Sequence, residues 1–507
     1  MRITNKIIQN NSLTNINNNK LLQDTLSTQI STEKKISRPS EDPIIALRSL
    51  RLRTSVSQTE QYREKNAEDA ESWLEVTEDA INTLSEIITD IRKQYVKGAS
   101  DTLTAADRGI ILENLQSLAA EIYNTGNVDF AGRSLFTGYR TSSTLTFQKN
   151  ETVEYNIWEE AIPENLDTFY YVHEDDSSEQ QVYRDNISRL RLSYNALKEG
   201  STATVLFPLD ATIPGAVATD TDGDGTNDAM AVTPTTISSS ANPSPYEVVH
   251  GDPDGIVFIP ESGEILFGSN VADTLAGTDT KITVKYDKDE WKKGDLRPEH
   301  YFKCVDNTTG PKDEDGNIVP IEYNFDSSPE AEICYNIGVN QSIRINTNAS
   351  ECFTHNITRD IDDIVYAINE VEAIEARVTD LKKQLDSLAE NDPARATVTA
   401  QLDAAKKSQT FLNNKLSELF GHGITNAEGY LKKNNLALTN CGTRSKRLEL
   451  IQNRLDTQLS TLKELKSENE DVDMAETAVK LSSAEYAYDA ALMATGKILK
   501  ESLLNYL

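Results

Sequence analysis

Nine residues in the middle of the chain carry the spacing best suited to chemistry. In Asp220-Thr221-Asp222-Gly223-Asp224-Gly225-Thr226-Asn227-Asp228, side-chain oxygens fall at positions 1, 3, 5 and 9 with a glycine at 6. A calcium loop uses this layout to aim carboxylates at one centre. Position 12, where a bidentate glutamate closes an EF-hand, is Ala231, so Asp252 or Asp254 would have to supply the missing carboxylate. The candidate ligands for Ca2+ are therefore Asp220, Asp222, Asp224 and Asp228, and the competing reading is a solvated acidic turn. No catalytic set accompanies them. His173, His250, His300, His355 and His422 are scattered, without HExxH or HxH spacing, and no GxSxG, GxGxxG or P-loop occurs. The chain reads as non-enzymatic and its histidines as surface or structural residues. Cys304, Cys334, Cys352 and Cys441 lie far apart with no CxxC pair. They are expected to be free thiols packed as small hydrophobes.

The elements that must carry these residues follow from periodicity. Ala70, Leu74, Ile81, Leu84, Ile88, Ile91 and Tyr95, with Thr77 in the one gap, keep a 4-3-4-3 spacing. Leu448, Ile451, Leu455, Leu462 and Leu465 repeat it, with Gln458 out of phase. Neither seam can be buried by its own helix, so the two ends of the chain are expected to pack together around an excursion. Residues 1–36 are rich in Asn and Thr with a sparse apolar set (Ile3, Ile7, Leu22, Leu26, Ile30). They make a helix that orders only against partners. Ser37-Arg38-Pro39-Ser40-Glu41-Asp42-Pro43 ends it and starts the next, with Pro43 at a first helical position. Thr104 with Asp107 forms a capping box. Strands are expected at Ser134–Tyr139, Thr144–Phe147, Gly255–Pro260, Ile265–Gly268, Lys281–Tyr286 and Ile318–Tyr323, with Thr233–Pro245 an exposed loop. Helical periodicity returns from Asp360 to Leu388, breaks at Pro393 and continues to Leu419, which reads as an antiparallel hairpin.

At 507 residues the chain is expected to hold two to four domains. The 81 acidic and 50 basic residues give a net charge of −31, and residues 151–350 hold 37 of the acids but only 13 of the bases. Such a surface disfavours nucleic acid and anionic lipid as partners. The N-terminus lacks the apolar core of a secretion signal and no stretch approaches 18 apolar residues, so neither a cleaved leader nor membrane insertion is expected.

The break motifs carry a family pattern. Ile30–Ile36 followed by Arg38-Pro39-Ser40-Glu41-Asp42-Pro43 resembles the flagellin-family N-terminal signature. Arg447–Leu455 resembles that family's C-terminal heptad helix, and Ser467–Glu476 its Asp-x-Asp-x-Ala-Glu break. Met1-Arg2-Ile3-Thr4, Pro43, and Gly132-Arg133-Ser134-Leu135-Phe136-Thr137-Gly138-Tyr139 resemble the branch of the family that joins hook to filament more than the filament subunits. The resemblance spans roughly residues 1–150 and 420–507 and implies a mainly α fold. In it the N- and C-terminal regions form a long antiparallel helical bundle or coiled coil, with an inserted β-rich (α+β) variable domain and an inserted helical hairpin. The expected parts are an assembly helix at 1–43, core bundle with a β-hairpin at 44–150, the outward variable domain at 151–355, the hairpin at 356–423, core bundle at 424–467, and a second assembly helix at 468–507. The resemblance implies a structural subunit of the bacterial flagellum that polymerises through its terminal helices. It would be exported without a cleaved signal through the flagellar type III export apparatus after release from a cytoplasmic export chaperone, to lie outside the cell. Its implied partners are itself, a hook-side hook-associated protein and flagellin. Filament flagellin is the alternative, and an adhesin or calcium-dependent binding module on a flagellin-like anchor is a third. The 70–95 and 448–465 seams are expected to pack within one subunit, and the outermost segments, 1–36 and 479–507, between subunits.

Overall fold

Four short polar side chains decide where helices begin. Asp42, Thr104, Ser244 and Asp473 each turn a side-chain oxygen onto the free backbone N–H groups of a first turn. At Thr104 the capping box with Asp107 is complete. The structure, a computed structural model, describes residues 5–100, 103–162, 166–174, 182–198, 200–221, 225–276, 281–313, 316–324, 332–390 and 392–500. Among them are the α-helices α1 (Asn5–Thr32), α2 (Pro43–Glu60), α3 (Glu68–Gly98), α4 (Ala105–Thr125), α5 (Pro245–Gly251), α6 (Ser269–Ala276), α7 (Ala349–Cys352), α8 (Asn356–Ser387), α9 (Ala394–Glu470) and α10 (Met474–Lys500). A π-helical segment, Gln61–Ala67, links α2 to α3. The fold is mainly helical with an inserted β-rich region. No described helix is long and apolar enough to cross a membrane.

The chain divides into two compact units. One comprises Met1–Glu71, Tyr335–Ile343 and Lys446–Leu507; the other comprises Ser72–Cys334 and Arg344–Ser445. In the second unit α3 lies antiparallel to α9. Leu74, Thr77, Ile81, Leu84, Ile88, Ile91 and Tyr95 are all buried, as the 4-3-4-3 spacing requires. Opposite them Leu416, Phe420, Ala427, Asn434, Ala437 and Cys441 are buried on α9. This second seam contains polar members, which is why apolar counting does not find it. Asn434 Nδ2 reaches Ile81 O at 2.9 Å and Ser85 Oγ at 2.6 Å, and Cys441 Sγ lies 3.6 Å from Leu74 O. Further along α9, in the first unit, the buried positions are Leu448, Gln452, Leu455 and Leu459. Leu459 thus keeps the phase that Gln458 seemed to break. Gln452 fills its position because its amide is paired, donating to Glu71 at 2.7 Å.

Two glycines let ring and helix meet in this seam. A Cβ on Gly423 would stand 2.9 Å from the Tyr95 ring, and one on Gly98 would stand 2.3 Å from Phe420. The two rings meet edge to face at 6.4 Å. Gly423→Ala therefore sets a helix-propensity gain of about 1 kcal/mol against overpacking of a fully buried ring. Because Tyr95 has nowhere to move, a net loss of about 1–2 kcal/mol is expected, measured as a lower urea midpoint at unchanged m-value.

The β-rich region of the second unit forms two sheets. Among the described residues the larger has seven strands in the spatial order Ile321–Tyr323, Lys303–Asp306, Glu151–Ala161, Ile282–Trp291, Thr204–Pro208, Ala229–Val232, Val217–Thr219, all antiparallel neighbours. The smaller has five: Asp167–Glu174, Val182–Arg191, Glu264–Phe267, Ile256–Ile259 and Thr235–Thr236, the last pair parallel. Tyr155, Ile157, Val205, Phe207, Phe258, Ile265, Phe267, Val284, Tyr286 and Trp291 belong to one buried core shared by the two sheets. The other face of the smaller sheet packs Phe169, Ile187, Val257 and Leu266 against Tyr246 and Val249 of α5.

Several expectations change. Ser134–Tyr139 and Thr144–Phe147 are not strands. Only Arg133–Ser134 pairs, with Asp129–Phe130, while Thr137 and Thr146 make single bridges to Asn348 and Leu296. Their β-like composition instead buries Leu135, Phe136, Leu145 and Phe147 as irregular core. The Thr233–Pro245 loop contains the two-residue strand Thr235–Thr236 and runs into α5 at Pro245. The helical hairpin is real, but its second arm does not stop at 423, because α9 continues unbroken to Glu470. No proline interrupts Ala394–Glu470, and Gly421, Gly423, Gly429 and Gly442 are carried as single helical residues at about 1 kcal/mol each.

Candidate assembly surface

The two sequence breaks meet in the first unit. Asp42 Oδ1 accepts from Ile44 N (2.9 Å) and Ile45 N (3.1 Å) at the start of α2, where Pro43 costs no hydrogen bond. Asp473 Oδ1 does the same for α10, from Ala475 N (2.9 Å) and Glu476 N (3.0 Å). Between these caps the two linkers run side by side as a clasp. Lys35 N donates to Glu470 O at 2.8 Å, Val472 N donates to Glu33 O at 3.1 Å, and Lys34 stands opposite Asp471. Glu33 adopts φ 59° to make this turn. Asn469 Nδ2 also donates to Ile45 O at 3.2 Å.

Glu470 is the centre of the clasp. Its carboxylate, only 4% exposed, takes two parallel bonds from Arg53 at 2.7 and 2.8 Å, a third from the Ser49 hydroxyl, and faces Lys34 Nζ at 3.7 Å. The Arg53 bonds, opposed by burial and helped by Ser49 and Lys34, hold its pKa down at about 2. Asp471 is likewise pulled below the carboxylate range, by its bond to Lys34 and by the Ser467 hydroxyl at 2.6 Å. Sequence reasoning missed this group because Ser49, Arg53 and Glu470 share no local spacing. The available signal was an acid in the seam's own phase at the end of a heptad helix.

The clasp sets α1 and α10 antiparallel along each other within one chain. Leu26 and Ala484 are buried, and Asn19 Nδ2 reaches Ala487 O at 3.5 Å. The outermost segments, expected to pair between subunits, thus also pair with each other within one chain. The linkers are too short to let the two helices diverge. The pairing nevertheless leaves much apolar surface in water: Ile7, Leu13, Leu21 and Leu22 on α1, and Val479, Tyr486, Leu492 and Met493 on α10. Ile44, Leu47 and Leu50 of α2 are exposed too. The same unit holds the hairpin tip 335–343, where Asn336 O accepts from Asn66 of the π segment at 2.7 Å.

The calcium reading is placed only in part. Asp220 Oδ2 accepts from Gly225 N at 2.7 Å, and the Asp228 carboxylate accepts from Thr221 N (2.9 Å) and Thr221 Oγ1 (2.6 Å). Asp222 and Asp224 lie outside the described residues. Among the described residues no three metal-ligating side chains converge. Asp254 instead accepts from Asn270 Nδ2 at 2.8 Å. His300 and His355 are buried, which pulls both pKa values down to about 3; they bond Ser143 and Tyr194 respectively. The four cysteines are free, with Cys304, Cys352 and Cys441 buried and Cys334 exposed.

The clasped helices α1 and α10 thus pair with each other and still carry exposed apolar residues. Residues 3–141 match the bacterial flagellin N-terminal helical region, and residues 424–507 match the bacterial flagellin C-terminal helical region. Both helical ends of the chain are thus similar to those of bacterial flagellins, over less than half of its 507 residues. It is 26% identical to flagellar hook-associated protein 3 of Salmonella typhimurium over 169 residues, 33% of this chain and 52% of that protein. It is also 26% identical to a flagellin of Clostridium tyrobutyricum over 157 residues, 31% of this chain and 41% of that protein. The chain thus spans about half the length of the curated relatives it matches. Among solved structures, flagellar hook-associated protein 3 of Legionella pneumophila matches with a TM-score of 0.29 at 11% identity, over 82% of this chain and 98% of that one.

Proposed function

We propose that this chain is a non-enzymatic structural subunit of the flagellum that joins hook to filament. The observation that carries the reading is the apolar surface left on α1 and α10 after they have paired with each other. Single exposed apolar residues are ordinary, but a run of them along both terminal helices needs a partner. On this reading neighbouring subunits cover it, and the terminal helices complete a coiled coil in the axial tube. The partners are further copies of this chain, a hook-side hook-associated protein below and flagellin above. An export chaperone covers α10 before passage through the type III apparatus. The acidic β-rich region faces outward.

Tyr486 is 77% exposed and Leu21 65%, so aspartate at either position should leave monomer stability within about 0.5 kcal/mol. Both substitutions are expected to abolish incorporation, with normal hooks and flagellin shed into the medium. Unimpaired motility in both variants would refute the assembly role. Filament flagellin is the second reading, supported by the match to a flagellin. Purified chain that grows long filaments on seeds with no other component would select it over the junction reading.

A further inference from the structure

Lys288, near the end of the Ile282–Trp291 strand, is a buried cation whose partners are all neutral. The residue is 3% exposed. Its Nζ donates to Asn195 O at 2.8 Å and Ala196 O at 3.1 Å and lies 5.2 Å from the Trp291 ring. No described carboxylate stands within ion-pair distance of it. An ammonium taken out of water without a counter-ion is costly, and burial pulls its pKa down to about 8. A second buried cation, Arg359, lines the same cavity; it is ion-paired on one side only. Arg359 is 5% exposed; its guanidinium reaches Asp362 at 3.2 Å and Ser262 O at 2.5 Å, but its Nε is buried without a partner.

Both side chains line one cavity of about 260 Å³, walled on other sides by α4 and the start of α8. Two carboxylates also line it, and each is already engaged. Asp362 accepts from Asn195 Nδ2 at 2.9 Å as well as from Arg359, and Asp295 Oδ2 accepts from Lys292 N at 2.9 Å. The neighbouring His355, made neutral by burial, adds no charge. Lys293, exposed, adds another cation to the lining. What the cavity lacks is an acceptor of negative charge.

We infer that this cavity is a binding site for a small oxyanion, a carboxylate or a phosphate-type group, held between Lys288 Nζ and Arg359 Nε. The volume suits an inorganic oxyanion or an acid of a few carbons, and it is too small for a nucleotide. Such a ligand would supply the charge-assisted bonds both groups are missing. The site belongs to the second unit and is independent of the assembly proposal.

The test is thermal unfolding of the full chain with phosphate, sulfate, acetate or succinate at matched ionic strength, comparing wild type with Lys288→Met. At least one anion is expected to raise the wild-type midpoint and leave that of Lys288→Met unmoved. The responding anion identifies the class. Calorimetry at pH 8.5 should also show proton uptake on binding, seen as heats that vary with buffer ionisation enthalpy, because the anion restores the ammonium. Should Lys288→Met fail to fold, Arg359→Lys keeps the charge but loses Nε, and is expected to bind at least about tenfold more weakly. Two results would overturn the proposal. One is no anion exceeding a chloride control. The other is an equal shift in wild type and variant, which would mark a general salt effect.

Discussion

Glu470→Ala is expected to lower the unfolding free energy of the clasp-bearing unit by about 3 kcal/mol and to abolish assembly with it. The estimate follows from what the carboxylate holds. Two bonds from Arg53 and one from Ser49 are charge-assisted and made in a position only 4% exposed, and bonds to charged groups contribute about 1.5–3 kcal/mol each, net of exchange with water. Arg53 is itself about half exposed, so it rehydrates after the change, and the loss stays well below a plain sum of the bonds. The pH dependence gives the effect a signature. Glu470 has its pKa depressed in the folded chain, so its stabilisation is complete above the unfolded value of about 4.3 and fades as pH falls toward the folded value of about 2. Acid titration of the wild type, followed by circular dichroism, should show that loss between about pH 4.3 and pH 2. In Glu470→Gln the same window should be flat for this group. An unchanged acid limb in the variant would mean the clasp contributes little.

Arg189→Leu is expected to cost about 4 kcal/mol in the other unit. Arg189 is 1% exposed and binds Asp363 at 2.5 Å, Glu264 at 2.6 Å and Asp167 at 3.0 Å, with the Phe169 ring 4.2 Å away. Burial alone would lower its pKa, but the three carboxylates outweigh burial and raise it. Leucine fits the apolar surroundings yet leaves buried acids without their cation, which is the expensive way to break such a network. Arg191 still serves Asp360 and Asp363, and Asp167 is 43% exposed, so the cost falls mainly on Glu264. The pH dependence should then weaken. In wild type Asp363 is held below the carboxylate range: burial raises its pKa, but Arg189 and Arg191 lower it further, so its contribution is lost on acidification. In the variant Asp363 keeps only Arg191 against the same burial, so less of its contribution should remain to be lost on acidification. Urea midpoints at three pH values measure this, and a variant that falls in parallel with wild type would show that the network is not the cause.

How much of this was legible in the sequence varies by element, and the reason is range. The α3 seam from Leu74 to Tyr95 was readable because one helix writes its own burial period. Caps at Asp42, Thr104 and Asp473 were readable because they act over three residues. The partner seam on α9 was readable only in its apolar members, since Asn434, Cys441 and Gln452 are buried by virtue of bonds to another helix. Ser134–Phe147 misled for the complementary reason: its strand-like composition serves burial in a place with no neighbouring strand to pair.

The family pattern, the two break motifs and the surplus of acid in the middle of the chain were properties of the sequence by itself, because composition and local spacing are enough to state them. Only the tertiary structure brought Glu470 to Arg53, Arg189 to its three acids, and Lys288 into a cavity where it makes no ion pair. It also showed that α1 meets α10 in one chain. These are encounters between residues up to some 470 positions apart, and no local rule of spacing reaches that far.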